Sequence, residues 1–75
     1  MNRSIYLLKS FEEAVGNLSE IVEVDGYKTA TIGSVCIGIP EDVAAKLHAH
    51  IGTKIGLLRI DSDYRICVIP DHPLE

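Results

Sequence analysis

The stretch from Ile39 to Pro70 constrains the fold more than any other part of the chain. Pro40 suits the first position of a helix, and Gly52 suits a position just beyond a helix end. The residues between them include an apolar stripe at helical spacing, formed by Val43, Ala44 and Leu47. This pattern predicts one clear helix over about residues 40–49.

Turn residues divide much of the remaining chain into short apolar segments. Asp25-Gly26 is typical of a type I′ hairpin turn, because glycine accepts a positive φ. Gly33-Ser34 precedes a strand over Val35 to Ile39, and Asp61-Ser62-Asp63 separates strands at 53–60 and 64–69. With a further candidate strand at 4–8, the chain is predicted to be mainly β with α (α+β), a small barrel-like sheet of five to six strands.

Residues 11–24 allow two interpretations. Ser10 and Glu13 have the spacing of a capping box, and apolar residues follow at helical intervals. However, Gly16 would cost a helix about 1 kcal/mol. We expect a short helical turn near 11–17 followed by a strand, and a single helix over 11–24 is the alternative.

The size of the chain indicates one domain over residues 1–75 that needs help to be stable. A chain this short hides only about 60% of its unfolded surface. Cys36 and Cys67 lie within apolar strands, where we expect both to be buried and unpaired, so a homodimer is the expected compensation. Leu74-Glu75 resembles a cloning junction and receives no functional weight.

The charge and hydropathy of the chain narrow the classes of function. Eleven acidic and seven basic residues give a formal charge of -4, which opposes the phosphate attraction behind most nucleic-acid binding. No apolar run has membrane-spanning length, and the first residues lack the apolar core of a signal peptide. We therefore expect a cytoplasmic protein that does not contact a membrane.

From Ile39 to Pro70 the chain resembles the AbrB and MazE family of swapped-hairpin (cradle-loop) barrels. The residues that carry the resemblance are Ile39-Pro40, Lys46-Leu47, Gly52-Thr53-Lys54-Ile55 and the strand end from Ile66 to Pro70. The resemblance implies an intertwined homodimer that binds DNA. The chain departs from the family at 33–38, which is longer and uncharged, and at Thr53, where the family has an acidic residue.

Residues capable of metal or nucleophilic chemistry do not form a recognisable motif. The plausible ligands are His48, His50, His72, Cys36, Cys67 and Asp71. The two cysteines belong to no C-x-x-C pair, and histidines two residues apart diverge at a helix end. The sequence therefore predicts no catalytic residue, no metal site and no cofactor.

Basic residues on the last hairpin form the one candidate contact surface for nucleic acid. Arg59 and Arg65 lie near the hairpin tip, and Lys54 lies where the hairpin starts. If DNA is bound, the phosphate contacts are expected from Lys28, Lys54, Arg59 and Arg65. The alternative, which we favour, is that the arginines pair with Asp61, Asp63 and the acidic residues between 12 and 25.

These observations favour a non-enzymatic binding module whose barrel surface or strand edges contact another protein. The alternative is a dimeric DNA-binding transcriptional regulator of the AbrB or MazE type. For the homodimer, the expected interface uses the strand Val35 to Ile39 or the strand Ile55 to Ile60, so that a charge at Ile37 or Leu57 would disrupt it.

Overall fold

A computed structural model describes residues 4–70 of the chain as a curved five-stranded antiparallel sheet with one helix. Its elements in chain order are β1 (Glu13–Val24), β2 (Tyr27–Ile32), β3 (Val35–Ile39), α1 (Glu41–Leu47), a single 3₁₀ turn (His48–His50), β4 (Lys54–Ile60) and β5 (Asp63–Val68). The strands lie in the order β3-β2-β1-β4-β5. The predicted fold class, the five strands and the one clear helix are confirmed.

The turn residues act as the sequence predicts. Asp25 and Gly26 have φ values of +52° and +83° and join the paired residues Val24 and Tyr27, as a type I′ turn requires. At the tip of the β4–β5 hairpin, Asp61 has φ +54° and Ile60 pairs directly with Asp63. That turn therefore has two residues, and β5 begins one residue earlier than predicted.

The predicted helical turn near 11–17 is wrong, and so is the alternative helix over 11–24. Phe11 has φ +67°, which no right-handed helix tolerates, and the Ser10 hydroxyl donates to the Asp61 carboxylate at 3.4 Å. Residues from Glu13 onward pair with β4. Part of the helical spacing, that between buried Leu18 and half-buried Ile21, arises from the extra residue of a β-bulge between Leu18 and Glu20.

The bulge also lets β1 serve two parts of the sheet. Its first part, 13–17, pairs with β4, and its second part, 18–24, pairs with β2. At the bend, the Leu18 amide donates to the Thr53 carbonyl at 2.9 Å, and the Gly52 amide donates to the Leu18 carbonyl at 2.7 Å. The sheet therefore curls into a barrel-like shape around one apolar interior.

The core fills the concave side of this sheet and includes the helix stripe. Val43, Ala44 and Leu47 are buried, as the helix pattern predicts. They pack with side chains of the strands, among them Leu18, Ile32, Ile37, Ile55 and Leu57. Ile37 and Leu57 therefore lie in the core of a single chain, and β4 is paired on both edges, by β1 and by β5. A charge at Ile37 or Leu57 would therefore disrupt the fold of the single chain. β4 has no free edge with which to pair with a second copy.

Residues 4–8, here named the strap, form less structure than the predicted strand. Tyr6 makes one isolated parallel bridge with Ile37 at the outer edge of β3. Leu8 is only 2% exposed and belongs to the core, whereas Leu7 is 66% exposed. The strap is therefore fixed at its Leu8 end and open to solvent one residue earlier.

No helix within residues 4–70 is long and apolar enough to cross a membrane.

Candidate functional site

A groove of about 390 Å³ lies where the strap meets the ends of three strands. It is lined by Ile5, Leu7, Tyr27, Lys28, Gly38, Ile39, Pro40 and Tyr64. Two hairpin turns position its aromatic residues, because Tyr27 directly follows the Asp25-Gly26 turn and Tyr64 is the second residue of β5. The groove therefore depends on turn residues far apart in the chain.

The walls of the groove combine exposed and anchored apolar surface. Tyr27 is 67% exposed, a large fraction for an aromatic side chain, and Leu7 is similarly open. Ile39 is buried, and Tyr64 is half-buried and packs against the core. Such a surface can cover an apolar side chain while the tyrosine hydroxyls stay available for hydrogen bonds.

Gly38 allows the strap to lie directly on the backbone of β3. A Cβ atom at this position would lie 2.8 Å from Cδ2 of Leu7 and 3.1 Å from Cγ2 of Ile5. Real side chains do not approach that closely, so a larger residue at 38 would push both strap side chains away. The shape of the groove thus depends on glycine at this position.

Charged side chains of both signs lie on and beside the groove. Lys28 is its one lining cation, and its ammonium lies 3.7 Å from the carboxylate of Glu23, which is its neighbour on β1. Asp25 precedes Tyr27 by two residues, and Glu41 and Asp42 directly follow Pro40. Acidic residues therefore lie close to Tyr27 and to Pro40 in the sequence, and a neighbouring pocket that shares Pro40 and Tyr64 with the groove is lined by Lys46 and Arg65 as well as by Asp42 and Asp63.

The four basic residues proposed for DNA contact do not form one surface. Arg65 lies opposite Leu58, and Arg59 lies opposite Tyr64, so the two arginines project from opposite faces of the hairpin. Lys54 shares the face of Arg65, whereas Lys28 lies on β2 beside Glu23. Only Lys54 and Arg65 share a face of the last hairpin.

Arg59 has an internal structural role that its sequence position did not reveal. Its Nε atom donates to the Asp61 carbonyl at 2.7 Å, and its Nη1 atom donates to the Leu8 carbonyl at 2.6 Å. The sequence predicts that Arg59 pairs with carboxylates, whereas its hydrogen-bond partners in the structure are backbone carbonyls. The guanidinium therefore joins the β4–β5 turn to the end of the strap.

A polar cluster on the link between strap and β1 was also missed from sequence. The Tyr6 hydroxyl lies 2.6 and 2.7 Å from the two oxygens of the Glu12 carboxylate, which also accepts the Lys9 amide at 2.9 Å. The Lys9 amide and the Tyr6 hydroxyl lower the pKa of Glu12, and the bond to Glu12 raises the pKa of Tyr6. Glu12, rather than Glu13, is the residue that caps a turn here.

The candidate ligands do not assemble into a metal site within residues 4–70. No three of the histidine, cysteine or acidic side chains in this range are grouped as a metal site requires. Cys36 is buried as expected, but Cys67 is exposed, because it lies on the outer strand β5 on the face away from the core. Asp71 and His72 lie outside the described residues.

The chain matches no family model, and comparisons with curated proteins and with solved structures found no similar protein.

Proposed function

We propose that this protein is a non-enzymatic binding module that holds a segment of another protein in the groove. The observation that carries the proposal is the apolar, aromatic lining beside Ile39, with Tyr27 and Leu7 each about two-thirds exposed. Eight large hydrophobic residues within 4–70 are exposed, and Tyr27 and Leu7 are the two of them that line the groove. Exposed apolar surface framed by polar residues is typical of interaction sites.

The topology supports this location for a ligand. The curved five-stranded sheet, with its helix between β3 and β4, resembles the OB-fold, a partly open barrel that binds oligonucleotides and oligosaccharides on strands 2 and 3 and on the 1–2 and 4–5 loops. Tyr27 and Tyr64 lie beside the two corresponding turns, and Gly38 lies on β3. Because a fold does not define its ligand, the ligand class is argued from charge.

Charge favours a protein segment over a nucleic acid. Binding to a phosphate backbone needs several free cations, whereas the one lysine of the groove lies beside Glu23 and the chain carries a net charge of -4. An apolar groove with acidic residues nearby fits an apolar side chain flanked by basic residues. The proposed partner is therefore a cationic protein with an exposed apolar segment.

Affinity capture with two matched variants tests the proposal. Tyr27→Ser removes the exposed aromatic wall, and Val15→Ser changes a side chain that is 53% exposed on β1 and outside the groove. A cytoplasmic extract should yield a protein that the unchanged chain and Val15→Ser retain and that Tyr27→Ser loses. The proposal would be contradicted if Tyr27→Ser captured the same proteins as the unchanged chain, or if nuclease treatment abolished capture.

The two tyrosines also favour a second candidate, since nucleic-acid bases stack on exposed aromatic rings. This keeps a DNA-binding regulator of the AbrB or MazE type as an alternative, with Lys28, Lys54 and Arg65 as contacts, because the Arg59 guanidinium is bonded to the Leu8 and Asp61 carbonyls. Its affinity should fall with salt at a slope of about -0.9 per phosphate neutralised. Absence of binding to single-stranded and duplex DNA at low salt would exclude it.

We also propose a cytoplasmic location and a homodimer. Of the two strands expected at the interface, β4 is paired on both edges, whereas β3 ends the order of the sheet and its outer edge is covered through only one strap residue. A second copy on this edge would exclude any other strand from it. Sedimentation equilibrium that gives a monomer mass at high micromolar concentration would remove the homodimer and leave the groove proposal intact.

A further inference from the structure

The strap is held on β3 by the backbone bonds of a single residue. The Tyr6 amide donates to the Cys36 carbonyl at 2.8 Å, and the Gly38 amide donates to the Tyr6 carbonyl at 2.9 Å. These are the two bonds with which one residue of a parallel strand joins its neighbour. A longer extended segment could make the same pair of bonds once more, with the Ser34 carbonyl and the Cys36 amide, whereas in the other direction Pro40 has no amide hydrogen to donate.

The side chains of the strap indicate what kind of segment fits this edge. Ile5 and Leu7 lie over Gly38, where the absence of a Cβ atom leaves room for them. Alternate residues of an extended segment point to the same side, so this edge accepts large aliphatic groups two positions apart. Both side chains also line the groove.

The link from the strap to β1 combines backbone strain with exposed polar contacts. Phe11 is 71% exposed and has φ +67°, a conformation that a bulky residue adopts only under constraint. The Glu12 carboxylate holds the turn by accepting from the Lys9 amide and the Tyr6 hydroxyl, and these bonds are exposed to solvent. The Phe11 amide donates to the Arg59 carbonyl of β4, so release of residues 4–7 would leave Phe11 in place and expose the Tyr6 and Glu12 polar groups to water.

We propose that residues 4–7 of the strap are a displaceable strand, which occupies the β3 edge in the free protein and gives way to an extended segment of the bound protein while Leu8 stays in the core. The incoming segment adds to β3 in the parallel direction and places aliphatic side chains two positions apart over Gly38. This mode is β-strand addition to an exposed sheet edge. The inference rests on the proposed function, and it specifies the partner segment as extended and aliphatic.

Amide hydrogen exchange measured by NMR on the full chain tests whether the strap opens by itself. The Gly38 amide bonds to the strap, whereas the Ile37 amide faces β2 within the β2–β3 ladder. Local opening should make Gly38 exchange at least about 100-fold faster than Ile37. Equal rates for the two amides would show that the strap leaves only when the whole protein unfolds, and would overturn the proposal.

Binding of the strap sequence in trans tests displacement directly. The probe is a fluorescent peptide Ser-Ile-Tyr-Leu-Leu-Lys, which repeats residues 4–9. Tyr6→Pro removes the amide that bonds to Cys36, and Ser4→Pro is the matched control at an exposed strap residue outside the Tyr6 bridge. Tyr6→Pro should bind the peptide at least about tenfold more tightly than the unchanged chain, because the tethered strap no longer competes.

Ser4→Pro should bind the peptide as the unchanged chain does, and the NMR signals of Cys36 and Gly38 should move when Tyr6→Pro binds. Equal binding by all three proteins, or no binding at millimolar peptide, would overturn the proposal. If Tyr6→Pro does not fold, Glu12→Gln weakens the exposed link instead and should raise peptide affinity in the same direction. No change in affinity for Glu12→Gln would then count against displacement.

The capture experiment separates this inference from the proposed function. A partner that depends on Tyr27 but binds Tyr6→Pro and the unchanged chain equally would sink strap displacement alone. If Tyr6→Pro changes peptide binding but no protein partner is lost on Tyr27→Ser, the proposed function alone would be contradicted.

Discussion

β4 and the strap both lie beside another strand, but very different amounts of structure hold them. β4 is paired along its length with β5 and over half of it with β1, and its Ile55 and Leu57 side chains are fully buried. The strap has one bridging residue and, at Leu7, a largely exposed aliphatic side chain. The comparison teaches that β4 and the buried Leu8 end of the strap contribute stability, whereas residues 4–7 can change their contacts at little cost to the fold.

The largest expected effect comes from placing the same charge in each region. Leu57→Asp buries an unpaired carboxylate in the core, at a cost of several kcal/mol, and should abolish cooperative thermal unfolding. Leu7→Asp puts the carboxylate in solvent and should change the free energy of unfolding by less than about 1 kcal/mol. Circular dichroism melts compare the two, and similar losses would show that the strap is an integral part of the core.

A smaller effect is expected from adding one methyl group to a glycine in each region. A Cβ at Gly16 of β1 would lie 3.0 Å from the backbone nitrogen of Gly33, so Gly16→Ala should destabilise the protein by about 1–3 kcal/mol. At Gly38 the methyl group meets the movable ends of Leu7 and Ile5, so Gly38→Ala should cost less than about 1 kcal/mol.

Urea unfolding measures both variants, and NMR reports on the strap. Gly38→Ala should shift the signals of Leu7 and Ile5 while the core signals stay in place. If Gly38→Ala lost more stability than Gly16→Ala, the strap contacts at Gly38 would be more important for the fold than the packing of β1. That result would contradict the comparison.

The smallest effect concerns the pH dependence of the hydrogen bonds that join Glu12 to Tyr6 and Lys9. The pKa of Glu12 is lowered by the Lys9 amide and by Tyr6, so these bonds are present at neutral pH and are lost as acid protonates the carboxylate below its ordinary pKa. The pKa of Tyr6 is raised by Glu12, so the stabilisation from their bond is complete below the ordinary tyrosine pKa and is lost as the pH rises through the raised value.

An NMR titration of the tyrosine ring carbons measures this shift. Glu12→Gln removes the negative charge and should return the pKa of Tyr6 toward 10.0, its ordinary value. Glu13→Gln is the control, because the bonds to Tyr6 and Lys9 belong to Glu12. A Tyr6 pKa that does not respond to Glu12→Gln would show that the bond is absent in solution.

Local signals predicted much of the fold, because each depends on a few neighbouring residues. Asp25-Gly26 marked its hairpin through the positive φ of glycine, and the stripe at Val43, Ala44 and Leu47 marked the helix face. β1 was mistaken in part for a helix, because the bulge after Leu18 gives part of the strand the spacing of a helix. Only pairing with β2 and β4, which are distant in sequence, distinguishes the two.

The site was less predictable than the fold for the same reason. The groove joins residues from the strap, β2, β3 and β5, and no short motif links them. Arg59 attracted attention as a surface charge, yet its bonds to the Leu8 and Asp61 carbonyls depend on where the strap crosses the hairpin. Nothing in the sequence around Tyr27 distinguishes it from a half-buried strand residue, and its exposure depends on the position of the hairpin in the sheet.

The most direct test of the central claim is an NMR map of the amide signals as the captured partner is added to the labelled protein. Binding in the groove predicts that the largest shifts occur at Tyr27, Gly38 and Tyr64 and persist at high salt. The account would be contradicted if the largest shifts occurred at Lys54 and Arg65, which lie on the opposite face of the β4–β5 hairpin from Tyr64, and if binding were lost at high salt.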